Sequence, residues 1–338
     1  MALGPRPAAG RGHLSPKPMA KLRPPGPPSL KPVKPAKPPT RHGVSPSLMA
    51  LPNLATADQP STLLQYLEQS AYIPKGQAWL ERMQTGLVLS LDAQPLPVDT
   101  AYVPGLRFYY YRHIADEPRV PFEETVVFED DHLLVADKPH FLPVSPTGRY
   151  VQETLLVRLK NRCGLDDLVP IHRIDRDTAG LVMFSKQVSS RDAYAALFRA
   201  RKVHKIYQAI APFQPELVFP CTHSSRLQTS AQSFMQMQEV PGTPNSTTYM
   251  RLLEARGAWA RYQLEPVSGQ RHQLRVHMLA LGLPLRFDAI YPVLTPEPAL
   301  DSLDYSQPLQ LLAQTVAFDD PITGQPRRFE SQQCLHLP

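Results

Sequence analysis

The strongest constraint on the fold is a charged loop that runs directly into an apolar strand, at residues 171–186. Two arginines, two aspartates and one histidine stand within six residues, from His172 to Asp177. Residues 181–184 are then a short apolar run that follows Gly180, as expected for a buried strand. Burying charged side chains is costly unless they are paired. A strand with a purely structural role therefore does not need charged residues directly before it. The pattern predicts either a functional loop or an ordinary solvated loop at the end of a core strand.

The positive charge of the chain is concentrated at its beginning. Residues 1–57 carry nine lysines or arginines and no acidic residue, whereas the formal net charge of all 338 residues is +6. The remaining residues therefore have a net charge of about −3, so any RNA site on the folded part must be a local basic patch. The basic segment itself either contacts RNA or only keeps the protein soluble.

Residues 1–58 are rich in proline, lysine, arginine and serine. Such a segment cannot bury enough apolar surface to offset the entropy of ordering it, so we expect a disordered arm with polyproline II character. Its prolines argue against the amphipathic helix of an organelle transit peptide, and no apolar run approaches the roughly 20 residues of a membrane span. Cys163, Cys221 and Cys334 form no CxxC pair, which favours a reducing cytoplasm over disulfides or a zinc site.

Residues 59–112 predict a small folded extension. Apolar spacing indicates helices at residues 62–69 and 76–83, and short strands follow at 87–91 and 106–111. Four basic and four acidic residues balance each other in this segment, so it lacks the positive face that RNA binding normally needs. It is either a degenerate RNA-binding domain, similar to the S4 type, or an extension that packs on the main domain.

The rest of the chain predicts strands mixed with a few helices. Strands are expected at residues 126–128, 133–139, 181–184, 203–210, 246–253, 258–267 and 312–318, and helices at 151–160, 191–199 and 271–281. Residues 212–244 show no clear pattern.

Two motifs in this part resemble the RluA-type RNA pseudouridine synthases. Residues 172–180 read His-Arg-x-Asp-x-x-Thr-Ala-Gly, and residues 269–277 read Gly-Gln-Arg-His-Gln-Leu-Arg-Val-His. The second motif has Gln270 where the family has an arginine, and Phe141 and Phe287 stand where relatives usually have glycine. These departures put the contact of that arginine and the paths of the two loops in doubt.

The resemblance covers about residues 122–335 and implies the pseudouridine synthase fold. That fold is an α+β domain with a mixed, mainly antiparallel sheet and a central catalytic cleft. The implied activity is the isomerisation of specific uridines to pseudouridine in structured RNA, either ribosomal or transfer RNA. We expect a monomer that has RNA as its partner, makes no membrane contact and uses no cofactor.

The resemblance also implies roles for six residues. Asp175 is the catalytic carboxylate, and Arg275 is its partner, expected to make two hydrogen bonds to it. Tyr207, of a Lys-x-Tyr-x-Ala strand, offers a ring to stack on the uracil. Three residues are assigned to substrate binding: Leu274 under the base, Arg173 in the space left by the flipped nucleotide, and Thr178.

Three histidines invite a metal interpretation. His272 and His277 lie five residues apart, which points them to different sides of a helix, and no cysteine or carboxylate in the sequence completes a site. We therefore predict no metal and assign His172 to a hydrogen bond that orders its loop.

Two other functional classes fit parts of the sequence. A non-catalytic RNA-binding or ribosome-assembly protein could use the same fold, although binding alone would not need Asp175, Tyr207 and Arg275 together. A hydrolytic glycosidase would need a second carboxylate as general acid, for which Asp177 is the nearby candidate.

Overall fold

The computed structural model describes residues 37–70, 78–112, 117–299 and 302–338, all within one structural unit, Lys37–Pro338. The first part of this unit is a small sheet with two short helices. Its strands are β1 (Ser47–Ala50), β2 (Val88–Leu89) and β3 (Arg107–Tyr110), and its helices are α1 (Leu63–Gln69) and α2 (Trp79–Gln84). β3 lies between β1 and β2. The helices and strands pack over a shared apolar core that includes Trp79 and Phe108, in agreement with the predicted helices and strands of the extension.

The strand β1 lies inside the segment that the sequence predicts to be disordered, so that prediction is wrong for the part of it that follows residue 36. Val44 is buried against Val151 and Val157, and Leu51 belongs to the core of the extension. Apolar residues are sparse here, but each packs on residues distant in the chain, which local composition does not reveal. The rest of the predicted arm, residues 1–36, lies outside the described residues.

A large mixed sheet follows, with eleven strands among the described residues. The strands are β4 (Thr125–Glu129), β5 (Leu133–Lys138), β6 (Val169–Pro170), β7 (Ala179–Ser185), β8 (His204–Pro212), β9 (Cys221–Thr229), β10 (Met237–Val240), β11 (Ser246–Arg256), β12 (Trp259–Pro266), β13 (Leu311–Asp319) and β14 (Pro326–Glu330). Nine of them lie in the order β10-β9-β11-β12-β8-β13-β7-β5-β4, while β6 pairs with β7 and β14 with β13. Only the β7–β13 pair among them is parallel.

The β7–β13 pair fixes the end of the charged loop. Gly180, the second residue of β7, pairs with Ala313 of β13 and has a φ of +109°. A Cβ at this position would lie 2.3 Å from the carbonyl oxygen of Ala313. Glycine is therefore required for the two strands to approach each other, and this close pairing positions the loop that precedes β7.

Three helices flank the large sheet: α3 (Leu155–Cys163), α4 (Arg191–Arg199) and α5 (Gln273–Ala280). The hydroxyl of Thr154 accepts a hydrogen bond from the backbone of Val157 and caps α3. α5 lies on the face formed by β8, β12 and β11, where its Leu274 and Met278 join one apolar cluster. This packing directs the N-terminal turn of α5 towards the loop before β7.

The structure confirms the predicted α+β class with a mixed, mainly antiparallel sheet. α4 has the predicted bounds, whereas α5 starts two residues later than predicted because His272 has a left-handed backbone. β9 and β10 lie in residues 212–244, where the sequence shows no clear pattern. They are not predicted because β9 consists mostly of Ser, Thr, Gln and His residues and has no apolar alternation. In the described part of the chain, no helix has both the length and the apolar character needed to cross a membrane.

Candidate active site

A cavity of about 490 Å³ lies between the loop before β7, strand β8 and the N-terminal turn of α5. Its volume is typical of a small-molecule site, roughly 300–1,000 Å³. All six residues predicted from the sequence line it: Arg173, Asp175, Thr178, Tyr207, Leu274 and Arg275. The structure therefore brings together side chains that lie up to 100 residues apart in the chain.

Lys138, the last residue of β5, holds the backbone of the loop that carries Asp175. Its ammonium group donates to the backbone oxygens of Pro139 and Arg176, each at 2.9 Å. Lys138 is completely buried, and this burial lowers its pKa to about 7 even though Asp177 and Asp175 favour the charged form. The Lys-Pro sequence thus serves to fix the backbone immediately after Asp175.

Arg275 binds two carboxylates, and the stronger contact is with Asp288. Its Nε lies 2.8 Å from Oδ2 of Asp288, and its Nη2 donates to Oδ1 of the same residue. Asp175 receives a single hydrogen bond, from Nη1 to Oδ2 at 3.2 Å. The predicted double hydrogen bond between Arg275 and Asp175 is therefore wrong: the planar fork of the guanidinium faces Asp288, and its remaining donor reaches Asp175.

Both members of the Arg275–Asp288 pair have only 1% of their side chains exposed. Burial alone would lower the pKa of Arg275, yet the hydrogen bonds and charge of Asp288, together with the charge of Asp175, raise it above the usual arginine value. Arg275 is thus a permanent cation that its contacts with Asp288 fix in place.

Asp288 is a site residue that the sequence does not reveal, because its partner lies in another segment. The turn before it could have given a signal, since Phe287 has a φ of +60° and occupies the usual glycine position. Phe141, at the other such position, has a φ of +67°. Both loops therefore keep the left-handed backbone despite the missing glycines, at a cost of about 1–2 kcal/mol each. The stacking of the Arg286 guanidinium over the Phe287 ring, at 4.5 Å, helps to hold that turn.

Tyr207 points from β8 into the cavity and packs against both major apolar clusters. Burial, reinforced by the nearby charge of Asp175, raises the pKa of its phenol well above the usual tyrosine value. The hydroxyl therefore keeps its proton at neutral pH. Leu274 is 6% exposed and Thr178 2% exposed, whereas Arg173 is an exposed residue at the rim of the cavity.

Lys205 is a second cavity residue that the sequence interpretation omits. Its ammonium group donates to the backbone oxygen of Ser268 at 3.0 Å, and burial lowers its pKa to about 8. Among the described carboxylates, none lies within ion-pair distance of it. Lys205 stands two residues before Tyr207 in the same strand. Because side chains two residues apart lie on the same face of a strand, this spacing could have indicated Lys205 as a site residue.

Four cations and one carboxylate line the cavity. The cations are Arg173, Lys205, Arg271 and Arg275, and the carboxylate is Asp175. Gln270 lines the same cavity without charge, and its backbone N–H donates to the Gln273 side chain. The local patch of positive charge that an RNA site requires is therefore present, although the folded part is not basic as a whole.

Asp177, the candidate second carboxylate of a glycosidase, does not line the cavity. It accepts a hydrogen bond from the guanidinium of Arg176 at 2.9 Å. With Asp175 as the single carboxylate among the lining residues, the site lacks the general acid that a hydrolytic glycosidase needs.

Two of the three histidines, His172 and His277, differ in their surroundings. His172 accepts a hydrogen bond from the backbone of Met183, which agrees with its predicted role in ordering the loop. His277 approaches His223 and Glu239, with ligand atoms within 4.8 Å of one another; the expectation that no carboxylate comes near it is wrong, because β10 brings Glu239. Both ring nitrogens of His277 already meet hydroxyl groups, of Ser225, Ser246 and Thr248. We assign no metal to this cluster.

The chain is similar in sequence to proteins of a known family. A family model described as RNA pseudouridylate synthase matches residues 132–280, a range that contains all six predicted site residues. The dual-specificity RNA pseudouridine synthase RluA of Vibrio vulnificus is 31% identical over 225 residues, which cover 60% of this chain and 80% of that protein.

Two further matches differ in what they cover. The mitochondrial tRNA pseudouridine(32) synthase of Saccharomyces cerevisiae is 34% identical over 171 residues, or 49% of this chain and 36% of the yeast protein. The solved structure of human RNA pseudouridylate synthase domain containing 1 is similar with a TM-score of 0.51 and 20% identity, covering 64% of this chain and 86% of that one. At this identity the structural match supports the fold alone.

Proposed function

The chain belongs to the RluA-type family of RNA pseudouridine synthases, isomerases that act on uridine in RNA, and we propose that it isomerises specific uridines of structured RNA with Asp175 as the catalytic carboxylate. One arrangement carries this proposal. The carboxylate of Asp175 and the guanidinium of Arg275 meet at 3.2 Å across the same cavity that Tyr207 lines.

The reaction needs little beyond a positioned carboxylate. The N1–C1′ bond breaks, the uracil turns, and C5 bonds to C1′; C5 then loses its proton and N1 gains one. No electron, water molecule or cofactor is consumed. Asp175 adds to C1′, attacks the base or removes the 2′ proton, and each of these roles needs an ionised carboxylate in a site that excludes water. The side chain of Asp175 is 29% exposed, so it is accessible to a ribose that enters the cavity.

Arg275 and Tyr207 supply the surroundings that this carboxylate needs. Arg275, held by Asp288, provides a fixed positive charge beside the Asp175 carboxylate. Tyr207 presents its ring to the uracil and its hydroxyl to the region of C5. Because the phenol is protonated, it takes up the C5 proton only as it passes its own proton to water.

The remaining site residues hold the nucleotide. Leu274 offers an apolar surface beneath the base, and Thr178 lines the cavity beside the Asp175 loop, where its backbone N–H donates to the carbonyl of Asp175 at 3.2 Å. Arg173, at the exposed rim, replaces the flipped uridine in its helix or contacts a phosphate. A nucleotide inside a folded RNA must leave its stack to reach Asp175, and these contacts compensate for part of the stacking energy.

We propose transfer or ribosomal RNA as the substrate class and the cytoplasm as the compartment. The yeast relative is named for tRNA, and a relative in Pseudomonas aeruginosa is named for the large ribosomal subunit. These names support both substrate classes. The three cysteines are free, as expected in a reducing compartment. We further propose that the protein acts as a monomer, because all six predicted site residues come from one chain.

The test is to incubate the protein with unmodified transfer and ribosomal RNA transcripts that carry tritium at C5 of uridine. Isomerisation releases that tritium to water, and chemical labelling then maps the modified position. We expect wild-type protein to release tritium and Asp175→Asn to be inactive while it still binds RNA. Asp177→Asn is the matched control, since Asp177 lies in the same loop but outside the cavity, and it should retain activity.

The alternatives give different results in this assay. Binding without tritium release by the wild type, on every RNA offered, would support a non-catalytic RNA-binding protein. Release of free uracil would indicate a hydrolytic glycosidase. Full activity of Asp175→Asn would contradict the proposed role of Asp175 while leaving the isomerase activity intact.

A further inference from the structure

His272 has a backbone that a histidine adopts only when its surroundings impose it. It precedes α5 with φ +54° and ψ +17°, in the left-handed region. For a residue with a side chain, this conformation costs about 1–2 kcal/mol. Strain of this kind tends to be kept at functional sites. The left-handed turn directs the His272 ring into the cavity, and only 10% of the side chain is exposed.

The ring of His272 lies between Asp175 and Tyr291. Its Nε2 is 3.9 Å from Oδ1 of Asp175, and its Nδ1 is 3.0 Å from the hydroxyl of Tyr291. The Tyr291 oxygen also accepts a hydrogen bond from the backbone of Met237 at 2.6 Å, which anchors it to strand β10. His272 is thus held from behind by Tyr291 and faces the carboxylate of Asp175.

The surroundings select one tautomer of this imidazole. A proton on Nε2 points a positive dipole at Asp175, whereas a proton on Nδ1 would point the Nε2 lone pair at that negative charge. The hydroxyl of Tyr291 has two acceptors within reach, the bare Nδ1 of His272 at 3.0 Å and the carbonyl of Met237 at 3.3 Å, and the shorter contact is to Nδ1. Its oxygen meanwhile accepts from the backbone N–H of Met237, so these polar atoms are satisfied. The favoured state is therefore an Nε2–H group directed at Oδ1 of Asp175.

The imidazole also stays uncharged. Burial lowers the pKa of His272, and the cations Arg275 and Arg271 act in the same direction, against the opposing charges of Asp175 and Asp288. A neutral donor orients the carboxylate without adding a second buried cation next to Arg275.

We propose that His272 is a positioning residue for the isomerisation, which directs its Nε2–H at Oδ1 of Asp175 while Arg275 holds Oδ2. This inference rests on the proposed function. The two donors come from the first turn of one helix, three residues apart, so they fix the plane of the carboxylate with respect to the cavity. The distance of 3.9 Å is longer than a hydrogen bond, and we expect it to shorten when RNA binds, as catalytic contacts of free enzymes often do.

His272→Gly tests this role with little damage to the backbone. Glycine adopts the left-handed conformation without strain, so the fold should be kept while the ring is removed. We expect kcat to fall roughly 10- to 100-fold, as for loss of one hydrogen bond to a charged group, with KM within about twofold of wild type. Added imidazole should restore part of the missing rate by occupying the space of the ring.

Two further variants separate positioning from packing. His272→Asn keeps an N–H donor on a residue that tolerates the left-handed region, and it should be more active than His272→Gly. Tyr291→Phe removes the group that orients the ring and should lower kcat less than His272→Gly does. The double variant His272→Gly/Asp175→Asn should show no recovery with imidazole, which tests whether rescue acts through Asp175.

The outcomes are distinct. Wild-type kcat in His272→Gly, or a loss confined to KM, would overturn the inference. So would a loss of rate that imidazole does not restore and that accompanies a lower Tm, because it would indicate a structural role. If wild-type protein released no tritium from any RNA, the proposed function would fail instead. If His272→Gly does not fold, wild-type kcat in Tyr291→Phe would still contradict the inference.

Discussion

The carboxylate of Asp288 lies behind Arg275 and accepts hydrogen bonds from two nitrogens of its guanidinium. Oδ1 of Asp288 also accepts from the backbone N–H groups of Ile290 and Tyr291, at 2.8 and 3.0 Å. The guanidinium is therefore tied to a turn of the backbone rather than to a mobile side chain. Arg275 is therefore a fixed positive charge, and its remaining donor makes a single hydrogen bond to Asp175.

Asp288→Ala should weaken both stability and catalysis. It leaves the buried cation of Arg275 with one partner in place of two, and breaking a buried ion pair typically costs about 3–5 kcal/mol. Urea unfolding should show a loss of this size in the free energy of unfolding, and tritium release should slow. Asp192→Ala is the control, because its pair with Arg199 is exposed and should cost less than about 1 kcal/mol. Equal losses in the two variants would contradict a dominant role for Asp288.

The part of the site that can be predicted from sequence is the part contained in contiguous motifs. Asp175, Arg275 and Tyr207 each lie in a recognisable stretch, and all three reach the same cavity. Asp288 and Lys205 also lie in stretches that the resemblance covers, and Lys205 is the lysine of the Lys-x-Tyr-x-Ala strand, but no role for them follows from those letters. Their roles depend on neighbours in space: the guanidinium of Arg275 for Asp288 and the wall of the cavity for Lys205. The same reason accounts for β1, which exists because it pairs with β3, far along the chain.

The loops at Phe141 and Phe287 show a second limit of prediction from sequence. Phe141 and Phe287 stand where relatives usually have glycine, which leaves the loop paths open in the sequence, yet both residues adopt the left-handed backbone that glycine would favour. The surrounding contacts impose this conformation: the ring of Phe141 packs on that of Tyr305 at 5.2 Å. The sequence shows that a left-handed backbone is energetically unfavourable for phenylalanine. It does not show that packing compensates for this free-energy cost.

Gly180→Ala should disrupt the junction between β7 and β13. The new Cβ would lie 2.3 Å from the Ala313 carbonyl at a φ of +109°, so both overpacking and backbone strain apply, and the loss of stability should be at least about 2 kcal/mol. Gly257→Ala is the matched control: its φ is also positive, at +56°, but no atom lies within 4 Å of the added Cβ. This control should cost about 1–2 kcal/mol. Similar Tm values for the two variants would show that the close approach of β7 and β13 is not limiting.

Lys205 should make RNA binding depend on pH above 8, where the buried Lys138, with a pKa lowered to about 7, has already lost its proton. Burial lowers its pKa to about 8, so the free protein loses this charge as pH rises through 8, and binding above that pH must first take up a proton. The Kd for RNA should therefore increase between pH 7 and pH 9, by at most about tenfold per pH unit above 8. Lys205→Met should bind more weakly at pH 7 and lack this dependence.

The control for this measurement is Lys202→Met. Lys202 is exposed and does not line the cavity, so its removal should leave the change between pH 7 and pH 9 intact. A pH dependence that survives in Lys205→Met would assign the titration to another group.

The basic segment at the start of the chain can be tested by the salt dependence of binding. Deletion of residues 1–57 is unsuitable because it removes β1, so the deletion should end at residue 36, ahead of the first described residue. Each phosphate that the shortened protein no longer neutralises should reduce the slope of log K against log salt concentration by roughly 0.7–0.9. A shallower slope with unchanged kcat would show that the segment contributes electrostatic attraction to RNA and takes no part in the chemistry. An unchanged slope would mean that the segment binds no phosphates, and the cations of the cavity would then account for the electrostatic part of binding.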